Sequence, residues 1–184
     1  MLTHIIKPNI NYKIDVLFYC WGTDIQIINN LIQLYNPILY KFTSVQLDNQ
    51  FFSKMKGNKL AWELAQSLDT QNYKYCMFLR PDIIFFKPIL FDTYNYNNIY
   101  HNDGRPDQGG HYGDFYFLMN NDNASHFASF FDKYYEEFKQ SVWTEDIFRN
   151  TYLPLLSQYL SSRTEVCNDL RAGSAREIEL YRVC

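Results

Sequence analysis

Residues 75–86 of the chain read YCMFLRPDIIFF, an apolar run interrupted by a single carboxylate. The apolar residues predict a buried strand that begins at Tyr75. Pro81 cannot donate a ladder hydrogen bond, and a residue before proline favours extended backbone, so the strand includes Arg80 and regular pairing ends there. Ligands of open α/β sheets bind at the carboxyl ends of strands, which makes Asp82 the first candidate for a functional carboxylate.

Length and composition limit what surrounds this strand. The 184 residues fit one domain, 1–184, and a hydrophobic share of 47% with 16 tyrosines and 15 phenylalanines is typical of a globular protein. A net charge of −3 without a lysine or arginine run argues against a nucleic-acid partner. Because no apolar stretch approaches about 20 residues and the amino terminus lacks a signal-peptide pattern, we expect no transmembrane segment and a cytoplasmic protein. The four scattered cysteines predict buried thiols.

The first half of the chain alternates strand and helix patterns. Ile14–Trp21 is a continuous apolar run, typical of a strand covered on both faces. Thr23 and Gln26 match a capping box for a helix that Asn36-Pro37 ends, and Leu39–Leu47 predicts a second strand. A second helix is expected after the Gly57-Asn58 breaker, with the apolar stripe Leu60, Ala61, Leu64, Ala65 and Leu68.

The second half is less regular. His101–Gly113 is polar and contains glycines, so we expect a loop, followed by a strand over Asp114–Met119. Residues 121–123 offer caps for a helix, Thr144 offers a cap for another, and the tail 165–183 predicts one or two strands. Leu2–Ile6 can form a short strand. The alternation indicates an α/β sandwich with a mostly parallel central sheet flanked by helices.

Several of these segments together resemble small GT-A glycosyltransferases, over residues 14–147. In that family a strand ending in tryptophan precedes a helix that ends in a Tyr-x-Pro turn, and an Arg-Pro-Asp triplet replaces the Asp-x-Asp motif. The corresponding segments, in chain order, are Ile14–Trp21, Leu34-Tyr35-Asn36-Pro37, Arg80-Pro81-Asp82 and Gly113-Asp114-Phe115.

The resemblance implies a single GT-A-like domain that moves a sugar from a nucleotide-sugar donor to a hydroxyl of a glycan acceptor, in glycan or polysaccharide synthesis. Asp82 would then bind the donor diphosphate through Mg²⁺ or Mn²⁺, ions that prefer oxygen ligands. Arg80 stands where the first aspartate of the motif would be, so it contacts the diphosphate or positions Asp82. Trp21 is a candidate for stacking on a base or sugar.

Candidates for the catalytic base come from the acceptor side of the family motif. Asp114 corresponds to an aspartate that takes the proton of the acceptor hydroxyl or anchors a sugar. Glu145 and Asp146 are further candidates, although acidic residues are favoured in the first turn of any helix.

Two other interpretations stay open. Arg80 in place of an aspartate, and the short segment before Ile14, are compatible with a non-catalytic GT-A-like module that binds a glycan or a protein partner. His101 and His111, with Asp103 and Asp107 between them, could instead form a metal site of a hydrolase, although ordinary loop residues are the better explanation.

Overall fold

The computed structural model describes residues 2–22, 24–44, 50–68, 73–79, 88–102, 116–138 and 160–163. Its strands are β1 (Leu17–Trp21), β2 (Leu39–Thr43), β3 (Cys76–Leu79), β4 (Ile99–Asn102), β5 (Tyr116–Met119) and β6 (Leu160–Arg163). Its helices are α1 (Ile25–Tyr35), α2 (Gln50–Ala65) and α3 (Asn121–Phe138). The chain divides into two units that are interleaved in sequence: unit 1 comprises residues 1–14, 75–119 and 159–183, and unit 2 comprises 15–74, 120–158 and 184.

Unit 1 contains a mixed sheet with the strand order β3-β5-β4-β6. Both β3 and β4 pair antiparallel with β5, and β6 pairs parallel with β4. Three of these four strands therefore run in one direction, and the reversed strand β5 lies between two of them. The expected α/β class is confirmed. A mostly parallel sheet is not established, because β5 runs antiparallel to both of its neighbours, β3 and β4.

The core of unit 1 joins this sheet to the amino-terminal segment. Tyr116 and Leu118 of β5 are fully buried, and they pack with residues from three other segments. The other buried members of the cluster are Ile5, Ile89, Phe91, Tyr94 and Tyr100. Burial of this many large side chains is the main source of stability for a unit with such short strands.

Asn9 attaches the amino-terminal segment to the chain before β4. Its side chain is 5% exposed, and its Nδ2 donates to the carbonyls of Ile5 and Ile89, both at 2.6 Å. Its Oδ1 accepts from the Phe91 backbone N–H at 2.9 Å. A buried amide that makes three hydrogen bonds satisfies backbone groups from two distant segments at once.

The amino-terminal segment is helical, so the expected strand over Leu2–Ile6 is wrong. Leu2–Ile6 forms a turn of π-helix and Lys7–Asn9 a short 3₁₀ turn that contains Pro8. The backbone N–H of Ile89 donates to the carbonyl of His4 at 2.8 Å. Ile5 of this segment is buried in the core of unit 1.

Unit 2 contains the parallel pair β1 and β2, in which Leu17 lies opposite Leu39 and Trp21 opposite Thr43. The predicted strand and helix are confirmed at these positions, but the N-cap of α1 is Asp24 rather than Thr23. The Asp24 carboxylate accepts from the N–H groups of Gln26 and Ile27. At the other end the left-handed residue Asn36 (φ 43°) caps the helix, and Pro37 follows.

The second helix begins earlier than the sequence predicts. α2 runs through the Gly57-Asn58 pair, because burial of Phe52 and Met55 in its first half outweighs the cost of about 1 kcal/mol for glycine in a helix interior. α2 packs against α3 and β1, and the ring of Phe52 meets that of Tyr135 edge-on at 5.2 Å. The residues of its predicted apolar stripe are only half-buried.

Other expectations have mixed outcomes. The strand that ends at Met119 and the helix after it are confirmed as β5 and α3, but the side chain that accepts from the first turn, from the N–H of Asn123, is that of Asn120 and not of residues 121–123. His101 was expected in a loop, but it belongs to β4. The helix expected from Thr144 and the strands expected in 165–183 lie outside the described residues. No helix in the described ranges is both long and apolar enough to cross a membrane.

Two of the four cysteines lie in the described strands, and both are reduced. Burial raises the pKa of the Cys20 thiol, and it raises that of Cys76 to about 12. Both thiols are therefore protonated at neutral pH, as expected for cysteines that serve packing.

Replacing Asn9 with alanine tests its role in attaching the amino-terminal segment. We expect Asn9→Ala to lower the free energy of unfolding by about 2–4 kcal/mol, because two carbonyls and one N–H lose their buried partner. Urea denaturation measures the change. Asn11→Ala, at an exposed position two residues away, is the matched control and should change the free energy by less than about 0.5 kcal/mol. Equal stability of the two variants would contradict this role.

Two glycines next to Trp21 should respond in opposite ways to alanine. Gly22 has φ +157°, so Gly22→Ala should cost about 1–3 kcal/mol through backbone strain. A Cβ on Gly57 would lie 3.8 Å from Trp21 Nε1, an ordinary contact, so Gly57→Ala should stabilise the protein by about 0.5–1 kcal/mol. Thermal unfolding of both variants measures the effects. Destabilisation by Gly57→Ala would show that the indole needs more room than this.

Candidate functional site

The register of the unit 1 sheet brings several chain segments to one edge. Leu79, the last residue of β3, lies opposite Tyr116, the first residue of β5. β4 ends at Asn102, which lies opposite Arg163, the last residue of β6. The carboxyl ends of three strands and the amino end of the fourth therefore share an edge, which we call the triplet edge. Ligands of α/β proteins bind at edges of this kind.

Two of the sequence-predicted segments adjoin the triplet edge. Arg80-Pro81-Asp82 follows Leu79 directly, and Gly113-Asp114-Phe115 precedes Tyr116 directly. Because Leu79 and Tyr116 are cross-strand neighbours, the first segment leaves the sheet beside the point where the second enters it. The predicted donor and acceptor motifs are separated by 30 residues in the sequence. The strand residues next to them, Leu79 and Tyr116, are paired in the sheet.

A second Arg-Pro-Asp triplet, not considered among the sequence motifs above, also follows a strand that ends at the triplet edge. The triplet Arg-Pro-Asp occurs a second time, at residues 105–107, three positions after the end of β4. A search of the sequence for repeats of the triplet would have found it. Both copies follow strands that run in the same direction and end at the triplet edge.

The structure leaves most of the individual site residues untested. Arg80, Asp82 and Asp114 lie outside the described residues, and so do Glu145 and Asp146. Their roles therefore stay predictions. Among the described residues, no group of three or more His, Cys, Asp or Glu side chains could hold a metal ion.

Trp21 is the predicted site residue that the structure does describe. It ends β1, is half-buried, and meets the ring of Tyr19 edge-on, with centroids 5.6 Å apart at 84°. Gly57 of α2 lies beside its indole. Burial, together with the charge of Glu63, raises the pKa of Tyr19, so its ring is a neutral partner. The indole is therefore held by two neighbours while part of it stays accessible.

The turn after Trp21 leaves room for a ligand beside the backbone. Gly22 continues the ladder, donating its N–H to the Thr43 carbonyl at 2.8 Å, and apart from its chain neighbours no atom of the described residues lies within 4 Å of where its Cβ would be. Glycine at such a position permits close approach to the main chain. The combination of an accessible indole and open backbone suits an uncharged group, such as a flat base or the apolar face of a sugar ring.

The start of α1 does not suit a phosphate group. Helix N-termini bind anions through their unpaired N–H groups, but here the Asp24 carboxylate already accepts from Gln26 and Ile27, at 2.9 and 3.1 Å. A second anion at this place would meet a like charge. The surroundings of Trp21 therefore favour an uncharged group over an anion.

Comparison with known proteins supports the fold. No family model matches the chain, and no curated protein does. Among solved structures, the chain is similar to a glycosyltransferase involved in the glycosylation of the major capsid of PBCV-1, with a TM-score of 0.55 at 8% sequence identity. The similarity covers 82% of this chain and 81% of that one. The chain therefore shares a mixed α/β fold with a glycosyltransferase across most of its length.

Proposed function

We propose that the protein is a GT-A-like glycosyltransferase that moves a sugar from a nucleotide-sugar donor to a hydroxyl of a glycan. The observation that supports this proposal is the pairing of Leu79 with Tyr116, because the predicted donor triplet directly follows Leu79 in the sequence and the predicted acceptor motif directly precedes Tyr116. The shared fold with a glycosyltransferase supports the same reaction class.

In the proposed reaction, the acceptor oxygen attacks the anomeric carbon of the donor sugar. A new carbon–oxygen bond forms, the bond to the diphosphate breaks, and the diphosphate leaves with the electron pair. Asp114 takes the proton of the acceptor hydroxyl, and Glu145 or Asp146 is the second candidate for this base.

The leaving diphosphate requires positive charge close to its oxygens. Asp82 would hold Mg²⁺ or Mn²⁺, which neutralises the developing charge, and Arg80 supplies a guanidinium that can bind two phosphate oxygens at once. Trp21 stacks on the base or on the donor sugar. The start of α1 is not proposed as a phosphate site, because the Asp24 carboxylate accepts from its first N–H groups.

The two copies of the triplet allow a matched test. We expect Asp82→Asn to lower kcat/KM for sugar transfer and for donor hydrolysis by at least about 100-fold, because the carboxylate that organises the diphosphate is lost. Asp107→Asn changes the same residue type in the second triplet and should keep most of the activity. Thermal unfolding should show both variants to be as stable as the unmodified protein.

The two variants decide which copy of the triplet binds the donor. Undiminished turnover in Asp82→Asn would contradict the role of Asp82, and loss of activity only in Asp107→Asn would assign the donor motif to residues 105–107.

Calorimetric titration with nucleotide sugars, with and without Mn²⁺, tests the alternative of a non-catalytic module. Tight donor binding would exclude that alternative, and the absence of any donor binding would favour it.

A further inference from the structure

An exposed isoleucine lies at the tip of a tight turn in unit 1. The backbone N–H of Tyr12 donates to the carbonyl of Asn9 at 2.9 Å, which closes a four-residue turn with Ile10 and Asn11 at its centre. Ile10 is 84% exposed, the largest exposed fraction among the large hydrophobic side chains that the structure describes. The central positions of turns favour glycine, proline and small polar residues, so the turn itself does not explain an isoleucine here.

Both ends of this turn are fixed to the core. Asn9 is buried and makes the three hydrogen bonds described above. The ring of Tyr12 meets the buried ring of Phe91 edge-on, with centroids 5.5 Å apart, and its hydroxyl donates to the Asp92 carboxylate. The fold therefore holds Ile10 out in solvent, because its side chain could turn inward only if these contacts broke.

The Asn9 side chain also brings a second exposed aliphatic residue next to the turn. Its Nδ2 donates to the carbonyl of Ile89 at 2.6 Å, and its Oδ1 accepts from the N–H of Phe91 at 2.9 Å. These two backbone groups are on either side of Leu90, which is 44% exposed, and Ile10 directly follows Asn9. Ile10 and Leu90 therefore extend from neighbouring backbone segments.

The charges of the amino-terminal segment are positive. Residues 2–14 contain Lys7 and Lys13, both exposed, and no acidic residue, in a chain whose net charge is −3. Asp92, whose carboxylate accepts from a tyrosine hydroxyl, is the one acidic residue of the adjoining range 88–98. We call the exposed apolar and basic residues of these two segments the Ile10 surface: Lys7, Ile10, Lys13, Pro88 and Leu90.

We propose that the Ile10 surface docks the protein on a membrane that contains anionic lipids. Ile10 enters the boundary between headgroups and acyl chains, and Pro88 and Leu90 pack at its rim. Lys7 and Lys13 bind the phosphates of the headgroups. A protruding apolar tip with cations beside it matches a membrane surface, in which an apolar layer lies beneath anionic groups.

A lipid surface suits a protruding side chain because lipids rearrange around it and no shaped pocket is needed. Affinity at such a surface comes from buried apolar area together with attraction to anionic headgroups. With one inserted side chain and two lysines, binding is weak, reversible and reduced by salt. The proposed sugar transfer uses none of these residues, so docking is independent of it.

Co-sedimentation with lipid vesicles tests the proposal without any sugar donor. The parent protein should sediment with vesicles of equal parts phosphatidylcholine and phosphatidylglycerol at low salt, and much less with phosphatidylcholine alone. Ile10→Ser should weaken binding to the anionic vesicles about tenfold, and Lys7→Gln about fivefold. Ile10→Trp should bind at least as tightly as the parent, because indole rings are favoured at membrane interfaces.

Two exposed residues of unit 2 provide matched controls. Ile25→Ser removes an aliphatic side chain that is 68% exposed beside Asp24, and Lys41→Gln removes an exposed lysine of β2. Both should bind the anionic vesicles as the parent does. Thermal unfolding should show that the variants at Ile10 and Lys7 are folded, since both side chains are exposed.

Three results would overturn membrane docking by this surface. The first is no sedimentation with anionic vesicles, which would leave a protein partner as the occupant. The second is equal binding to neutral and anionic vesicles, which would remove the role of the lysines. The third is equal weakening by Ile25→Ser and Ile10→Ser, because the effect would then not belong to the Ile10 surface. None of these results bears on sugar transfer, which is measured separately.

Discussion

The pairing of β3 with β5 is the constraint on which the proposed site depends. The ladder runs from Cys76 opposite Met119 to Leu79 opposite Tyr116, and it joins segments that are about 40 residues apart in sequence. All four residues of β5 are buried, so both faces of the strand are covered, and Tyr116 and Leu118 belong to the core cluster of unit 1. The same register fixes which loop residues adjoin the triplet edge.

The two ends of unit 1 are built differently. At the triplet edge the strands end in segments that contain charged residues, including both Arg-Pro-Asp copies. At the other end, Tyr75 packs against the buried ring of Phe91, and the Tyr100 hydroxyl accepts from the N–H of Asn95 in the loop before β4.

Local sequence chemistry predicted some elements well and others poorly. β1, α1 and β5 were predicted because continuous apolar runs and helix signals such as Asn36-Pro37 act within a few residues. The start of α2 was wrong because Gly57 is a weak local signal compared with burial of Phe52 and Met55. β4 was missed at His101 because its polar residues join a strand only through pairing with β5 and β6.

The sequence by itself supplied the residues that are predicted to carry the proposed sugar transfer. These are Asp82 after an apolar run, Arg80 two positions before it, and Asp114 in a second acidic motif. It also determined the alternation that makes the protein α/β, because strand and helix periodicities are local properties. Only the tertiary structure decided that β5 lies between β3 and β4, that Asn9 joins two distant segments, and that Tyr75 packs beside both Phe91 and Tyr96. The physical reason is that partners in a sheet or a core are selected by burial and long-range hydrogen bonds, which no short stretch of sequence contains.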